Sequence, residues 1–151
     1  MPASIDFQAQ LRAAGLRVTK QRLAVLDVVH DRPHADTSSI LDGVRNDLEA
    51  VSHQAVYDAL NDLTNAGLLR RFQPQGSVAL YETRTADNHH HLACRACGDV
   101  VDVDCAIEQT PCLTPSNDQG FIVDEAEVIY WGTCAKCNQT NKQHQTSTKH
   151  P

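Results

Sequence analysis

Ser52-His53-Gln54-Ala55-Val56-Tyr57-Asp58-Ala59-Leu60-Asn61-Asp62-Leu63 is the stretch on which the fold turns. Val56, Leu60 and Leu63 recur at helical spacing on one face, Ser52 stands where a helix is capped, and Gly67 stands where it ends. Two strand-like runs follow, residues 68–72 and 78–82, and Pro74-Gln75-Gly76-Ser77 makes the turn between them. Three more helices are expected upstream. Ser4 is placed to cap the first, with Phe7, Leu11 and Ala14 on one face and Gly15 as its stop. Thr19 is placed to cap the second, which carries Leu23, Leu26 and Val29 beside Val25 and Val28. Asp31-Arg32-Pro33-His34 then breaks the chain, and a third helix carries Ile40, Leu41, Val44 and Leu48. Short helices, a helix with a polar outer face and then a hairpin is the order of a winged helix-turn-helix. A helical bundle with a trailing hairpin has the same order, so order alone leaves both open.

The second half changes character. Residues 89–94, 100–103 and 121–131 are apolar and β-branched with few helix signals, which predicts a small α/β dimerisation or sensing domain. The fold class is therefore α+β, with residues 1–84 as one domain, 85–137 as a second, and 138–151 as a polar, disordered tail. No run approaches the roughly 18 apolar residues of a membrane span, and the start of the chain does not read as a secretory signal. A cytoplasmic protein is expected, where thiols stay reduced. The net charge of −6 argues against a globally basic nucleic-acid binder. It is unevenly spread: residues 1–85 hold nine Lys/Arg against ten Asp/Glu, residues 86–151 four against nine. Contact with DNA would have to come from local clusters in the first half.

Six cysteines in a reduced compartment point to ligands or sensors. Cys94-Arg95-Ala96-Cys97-Gly98 and Cys134-Ala135-Lys136-Cys137 are two C-x-x-C pairs, together four soft ligands suited to tetrahedral zinc. Such a site has no open position, so its zinc is structural and ties the end of the second half to the strand at Cys94. A redox pair or disulfides are the competing readings. Cys105 and Cys112 lie outside this spacing and read either as small buried hydrophobes or as a redox switch. His89 and His91 share one face of a strand while His90 points away. Two imidazoles so placed can chelate a metal, with Glu82, Asp102 and His34 as further donors, and mixed N/O ligands suit Fe(II), Mn(II), Zn(II) or Co(II). A solvated strand end that binds nothing has the same spacing. A metal held by His34, Glu82, His89 and His91 would join the two halves and set the orientation of the first.

Gly15-Leu16-Arg17-Val18-Thr19 with Gln21-Arg22, Ala55–Leu60 with Ala66-Gly67-Leu68, Tyr81-Glu82, His89-His90-His91-Leu92-Ala93-Cys94 with Cys97-Gly98, and Tyr130-Trp131-Gly132-Thr133-Cys134 together resemble the ferric uptake regulator family. The resemblance covers nearly the whole chain. It implies a homodimeric repressor with an N-terminal winged helix and a C-terminal dimerisation domain, binding double-stranded operators of two-fold character when a regulatory metal is loaded. Cys94, Cys97, Cys134 and Cys137 match the family's structural zinc ligands. His34, Glu82, His89 and His91 match its regulatory site, with Asp102 at a position that is Glu or Asp in relatives. Tyr57 matches a DNA contact on the recognition helix and Arg17 one in the minor groove; Ser52, His53 and Gln54 open that helix, and Arg70 and Arg71 are wing candidates for phosphate. Many relatives carry Arg after the recognition-helix Tyr, where this chain has Asp58.

Residues 124–132 with Cys105 and Cys112 are similar to the actinobacterial branch, which implies a redox input and control of catalase-peroxidase genes. The expectation is a repressor with structural Zn(II) and regulatory Fe(II), Mn(II) or Zn(II), responsive to peroxide. Its alternative is a plain iron- or zinc-homeostasis repressor. An enzyme is not expected, nor a small-molecule substrate or a membrane partner: no H-E-x-x-H, nucleophile elbow or phosphate loop is present.

Overall fold

In a computed structural model the protein is described over residues 4–85, 87–107 and 112–146, with side chains described as far as residue 140. The chain divides into two compact units, Met1–Ala86 and Asp87–Pro151.

The first unit begins with helix α1 (Phe7–Ala13). Its cap is Asp6, whose carboxylate accepts from the Ala9 N–H at 3.0 Å, so the expected cap Ser4 lies outside the helix. Asp is as good a cap as Ser, and two residues of extension separate them. Helix α2 (Lys20–Asp31) starts at Thr19, whose hydroxyl accepts from the Arg22 N–H, as expected. The break after α2 contains a short strand, β1 (Ala35–Asp36), which the sequence reading missed. Helix α3 (Thr37–Asp47) and helix α4 (His53–Asn65) follow, the latter capped by Ser52 through the Ala55 N–H. Strands β2 (Arg70–Phe72) and β3 (Leu80–Glu82) then form the hairpin, with Gly76 at φ 80° in its turn, and the sheet order is β1-β3-β2.

The apolar stripes meet in one core. Leu11, Val25, Leu26, Val29, Ile40, Val44, Val56, Leu60 and Leu63 are buried together, with Tyr81 of the hairpin against them. Packing of α3 against α2 is close: a Cβ on Gly43 would lie 2.8 Å from Val28 Cγ1. Arg22 of α2 pairs with Asp62 of α4 at 2.7 Å and locks the two helices at their rim. Helices followed by a β hairpin with a short third strand make this a winged helix-turn-helix.

The second unit is a three-stranded sheet of order β5-β4-β6, from β4 (His89–Cys94), β5 (Val100–Asp104) and β6 (Ile129–Gly132), followed by helix α5 (Ala135–Thr146). β4 runs antiparallel to β5 and parallel to β6. Of the apolar, β-branched run 121–131, only the end from Ile129 onward is strand, as β6. A turn at Gln119 and Gly120, both at positive φ, leads into it, and Phe121 and Ile122 are 74% and 97% exposed. Apolar composition there has no sheet neighbour to pair with. The polar run after Asn138, expected to be disordered, instead continues α5 to Thr146; the Asn138 N–H bonds the Cys134 carbonyl at 2.9 Å and begins the helix. Residues 147–151 of that tail lie outside the described residues. No helix is long and apolar enough to cross a membrane among the described residues.

Candidate metal centres and nucleic-acid interface

The four cysteines of the two C-x-x-C pairs come together. Their sulfurs all lie within 4.8 Å of one another, and Cys97 Sγ to Cys134 Sγ is 3.7 Å. A tetrahedron of Zn–S bonds of about 2.3 Å has sulfur–sulfur edges of about 3.8 Å, so the Cys97–Cys134 edge already has the length that zinc requires. All six cysteines are free thiols. Local backbone builds the site. The Cys94 N–H bonds the Asp99 carbonyl and the Gly98 N–H bonds the Cys94 carbonyl, closing a turn with Gly98 at φ 80°. The Cys134 N–H donates to Cys94 Sγ at 3.3 Å, and the Arg95 N–H to the Gly132 carbonyl at 2.9 Å ties β6 to the same turn. Donation from the Cys134, Cys97 and Ala96 backbone lowers the Cys94 thiol to about 6. Sharing hydrogen bonds with Cys134 and Cys97 raises Cys137 to about 12. Cys94 is thus preset as thiolate, and Cys137 gains most from a cation.

Each unit also holds a histidine–carboxylate pair. In the first, His34 Nε2 lies 3.4 Å from Glu82 Oε2, and Glu82 is 1% exposed. His34 is held at φ 68° by its N–H to the Tyr81 carbonyl, which aims its ring along β3 and edge-on to Phe72. In the second unit, His91 Nε2 lies 3.5 Å from Asp102 Oδ1 and His89 Nε2 lies 3.8 Å from the same oxygen. Register explains this: His91 stands opposite Asp102 across β4–β5, and His89 is two residues along the same face. The two rings sit edge to face at 5.0 Å. His89 Nδ1 is 2.7 Å from Asp87 Oδ1, so Asp87 fixes the ring and presents Nε2. A carboxylate behind a ligating imidazole is the usual support for one. The sequence reading missed Asp87, although its i−2 position before His89 was a signal. A buried carboxylate is costly unless matched by positive charge, and the N/O donors of both pairs suit a divalent first-row cation.

The DNA candidates lie on the first unit. Ser52, His53, Gln54 and Tyr57 form an exposed face at the start of α4, with Tyr57 43% exposed. His53 and Tyr57 stack at 5.6 Å. Asp58 accepts from Gln54 Nε2 at 2.8 Å, so its charge is spent on orienting a neighbour in that face. Arg17 is exposed and its carbonyl receives Arg22. Arg71 is exposed on β2 beside Gln73, and Arg70 is half-buried.

The comparisons agree with this anatomy. The model of the "Ferric uptake regulator family" matches residues 13–131. The chain is 56% identical over 146 residues to "Transcriptional regulator FurA" of Mycobacterium tuberculosis, covering 97% of each. It is 59% identical over 133 residues to "Ferric uptake regulation protein 1" of Mycolicibacterium fortuitum, covering 88% of this chain and 83% of the relative. In fold it is similar to the ferric uptake regulator of Pseudomonas aeruginosa with manganese, with a TM-score of 0.67 and 24% identity over 87% of this chain and 99% of that one. A family match over most of the chain, near-full-length relatives and two metal-binding donor sets converge: the chain belongs to the ferric uptake regulator family, metal-binding and DNA-binding repressors of transcription and not enzymes.

Proposed function

We propose that this chain is a homodimeric repressor that binds operator DNA of two-fold character when Fe(II) or Mn(II) is loaded, and that peroxide relieves repression of peroxide-defence genes, catalase-peroxidases among them. In this reading residues 1–84 read DNA, residues 85–137 dimerise and sense metal, and residues 138–151 are an appended polar tail. Cys94, Cys97, Cys134 and Cys137 hold structural zinc. His34, Glu82, His89 and His91 hold the regulatory metal, with Asp102 as a further donor. Ser52, His53, Gln54, Tyr57, Arg17, Arg70 and Arg71 face DNA.

The observation that carries the reading is the paired arrangement of donors. Each unit presents a histidine beside a buried or half-buried carboxylate, 3.4 Å apart in the first and 3.5 Å in the second. A single cation taking ligands from both would couple sensing to the reading head, because it binds one orientation better than others. The metal supplies positive charge and, as iron, reactivity toward peroxide. The protein's own part is to hold His89 through Asp87 and His34 through the Tyr81 carbonyl. Support for dimerisation through the second unit comes from one row of its sheet: Leu92 stands beside Val101 and Tyr130, and the three are 44%, 53% and 51% exposed. An apolar row of that kind is a surface that association covers.

The test is operator binding by fluorescence anisotropy at fixed salt, since salt sets the affinity. Zinc-containing protein is loaded anaerobically with Fe(II) or Mn(II), bound to DNA from upstream of its own gene, and given peroxide. Release of the iron form alone is expected. Binding that survives peroxide in both forms would make the protein a metal-homeostasis repressor.

A further inference from the structure

On β4 the strand alternation sends His89 and His91 to one face and His90 to the other. His90 is nonetheless only 3% exposed. It meets a second donor set there: Cys112 Sγ lies 3.0 Å from His90 Nε2, and the ligand atoms of His90, Cys105 and Cys112 all lie within 4.8 Å of one another. Three separate segments are brought to this point. The Cys105 N–H bonds the Asn88 carbonyl at 3.1 Å, and Asn88 Nδ2 returns a bond to the Ile107 carbonyl at 2.8 Å, so the chain leaving β5 is tied beside the start of β4. The Ile107 N–H points at Cys105 Sγ at 3.4 Å.

We propose that His90, Cys105 and Cys112 form a further metal site, for a thiophilic divalent cation of the zinc type, separate from the four-cysteine cluster and from the histidine–carboxylate donors. One imidazole and two sulfurs are a soft donor set that zinc takes and that Fe(II) or Mn(II) does not favour. Bonds of about 2.0–2.1 Å to nitrogen and 2.3 Å to sulfur would set the donors roughly 3.6 Å apart. Exchange of the thiol proton for a metal therefore moves Cys112 and His90 apart by about half an ångström, within the reach of side-chain torsions. Both cysteines are partly exposed, which leaves a route in for the ion and a fourth position for water. His90 decides between this and a simple thiol pair: a disulfide has no use for a buried imidazole, whereas a metal site needs its third ligand. Bound metal would pin the segment after β5 to β4, the strand that also carries His89 and His91. The site stands independently of the function proposed above.

The experiment uses full-length, reduced protein with zinc already in the four-cysteine cluster. Peptide mapping follows alkylation of Cys105 and Cys112 by N-ethylmaleimide, with and without one added equivalent of Zn(II). Added zinc is expected to slow both cysteines, and His90→Ala to cancel the protection, since loss of a ligand costs at least the roughly 10–100-fold that loss of a supporting group costs. Equal alkylation with and without zinc in the wild-type chain would overturn the proposal without reliance on any variant. Co(II) gives a second readout in the His91→Ala protein, where the histidine–carboxylate donors are crippled. A thiolate-to-cobalt absorption that disappears in Cys112→Ser, while the cluster keeps its zinc, is expected. Absorption that persists in Cys112→Ser would place the cobalt in the four-cysteine cluster and sink the site, as would formation of a Cys105–Cys112 disulfide at the same rate with zinc as without it.

Discussion

At the scale of single residues, two positions make demands that simple rules do not foresee. Gly43 sits in the middle of α3, where helix propensity favours Ala by about 1 kcal/mol. Here Val28 stands in the way, 2.8 Å from where a Cβ would lie, and a β-branched residue cannot swing aside. Gly43→Ala should therefore destabilise by about 1–3 kcal/mol, read as a lower urea midpoint at unchanged slope. A stabilised protein would mean that α2 and α3 separate easily. Cys94 makes an electrostatic demand. Its thiol is lowered to about 6 by three backbone donors, so at neutral pH it is already a thiolate before zinc arrives. Protons compete with metal for thiolates, and Cys94 joins that competition only as pH falls through about 6. Zinc affinity, measured against a chelator, should fall with acidification, and its pH slope should steepen by about one proton below that point. A slope that stays constant from pH 8 to 5 would mean that Cys94 is protonated with the others. Neither effect is visible in composition. The pairing of four cysteines was, because C-x-x-C fixes two ligands at a turn whatever surrounds it. Asp87 was not, because its role depends on the tautomer it imposes on His89.

At the scale of elements, the legible parts were those whose own periodicity carried the signal. Helices α2, α3 and α4 appear where their apolar stripes and the caps Thr19 and Ser52 put them. β4 appears over its full run because alternation of three histidines still reads as strand. The misses share a cause: their structure is set by a distant partner. β1 exists because Ala35 and Asp36 find Tyr81 and Leu80 across the chain, and residues 121–127 stay irregular because no strand pairs with them among the described residues. Helix α4 offers a prediction at this scale, because it separates stability from recognition. Ser52→Ala removes the hydroxyl that accepts the Ala55 N–H and should cost about 1 kcal/mol of stability. Tyr57→Ala removes an exposed ring that stacks on His53 and touches no core. It should leave the urea midpoint in place and weaken operator binding by about 1–3 kcal/mol, with metal content unaltered. Operator affinity equal to wild type would move the reading face off α4.

At the scale of the whole molecule, the two units are stabilised by different means. The first has a continuous aliphatic core. In the second, the buried residues among those described are Ala93, Cys94 and the three histidines, which is no core at all. A unit of that size without a core needs a staple, and four sulfurs at zinc spacing are one. Two variants then divide the metals by what they do. Cys94→Ser removes the ligand that takes the Cys134 N–H and should release zinc and unfold the second unit, seen as loss of the proposed dimer and of protection from protease. His91→Ala leaves that cluster intact and removes only an imidazole that faces Asp102 across the sheet. It should keep the zinc of the four-cysteine cluster and the proposed dimer, and bind operator as weakly in the presence of Mn(II) as in its absence. Coupling between sites typically amounts to about 5–150-fold in affinity, so the wild-type gain on adding Mn(II) should fall in that range and collapse toward one in the variant. Anisotropy titrations at matched salt measure both arms. If His91→Ala keeps the full manganese response, the metal that controls DNA binding sits away from β4, and the donors gathered there serve stability alone.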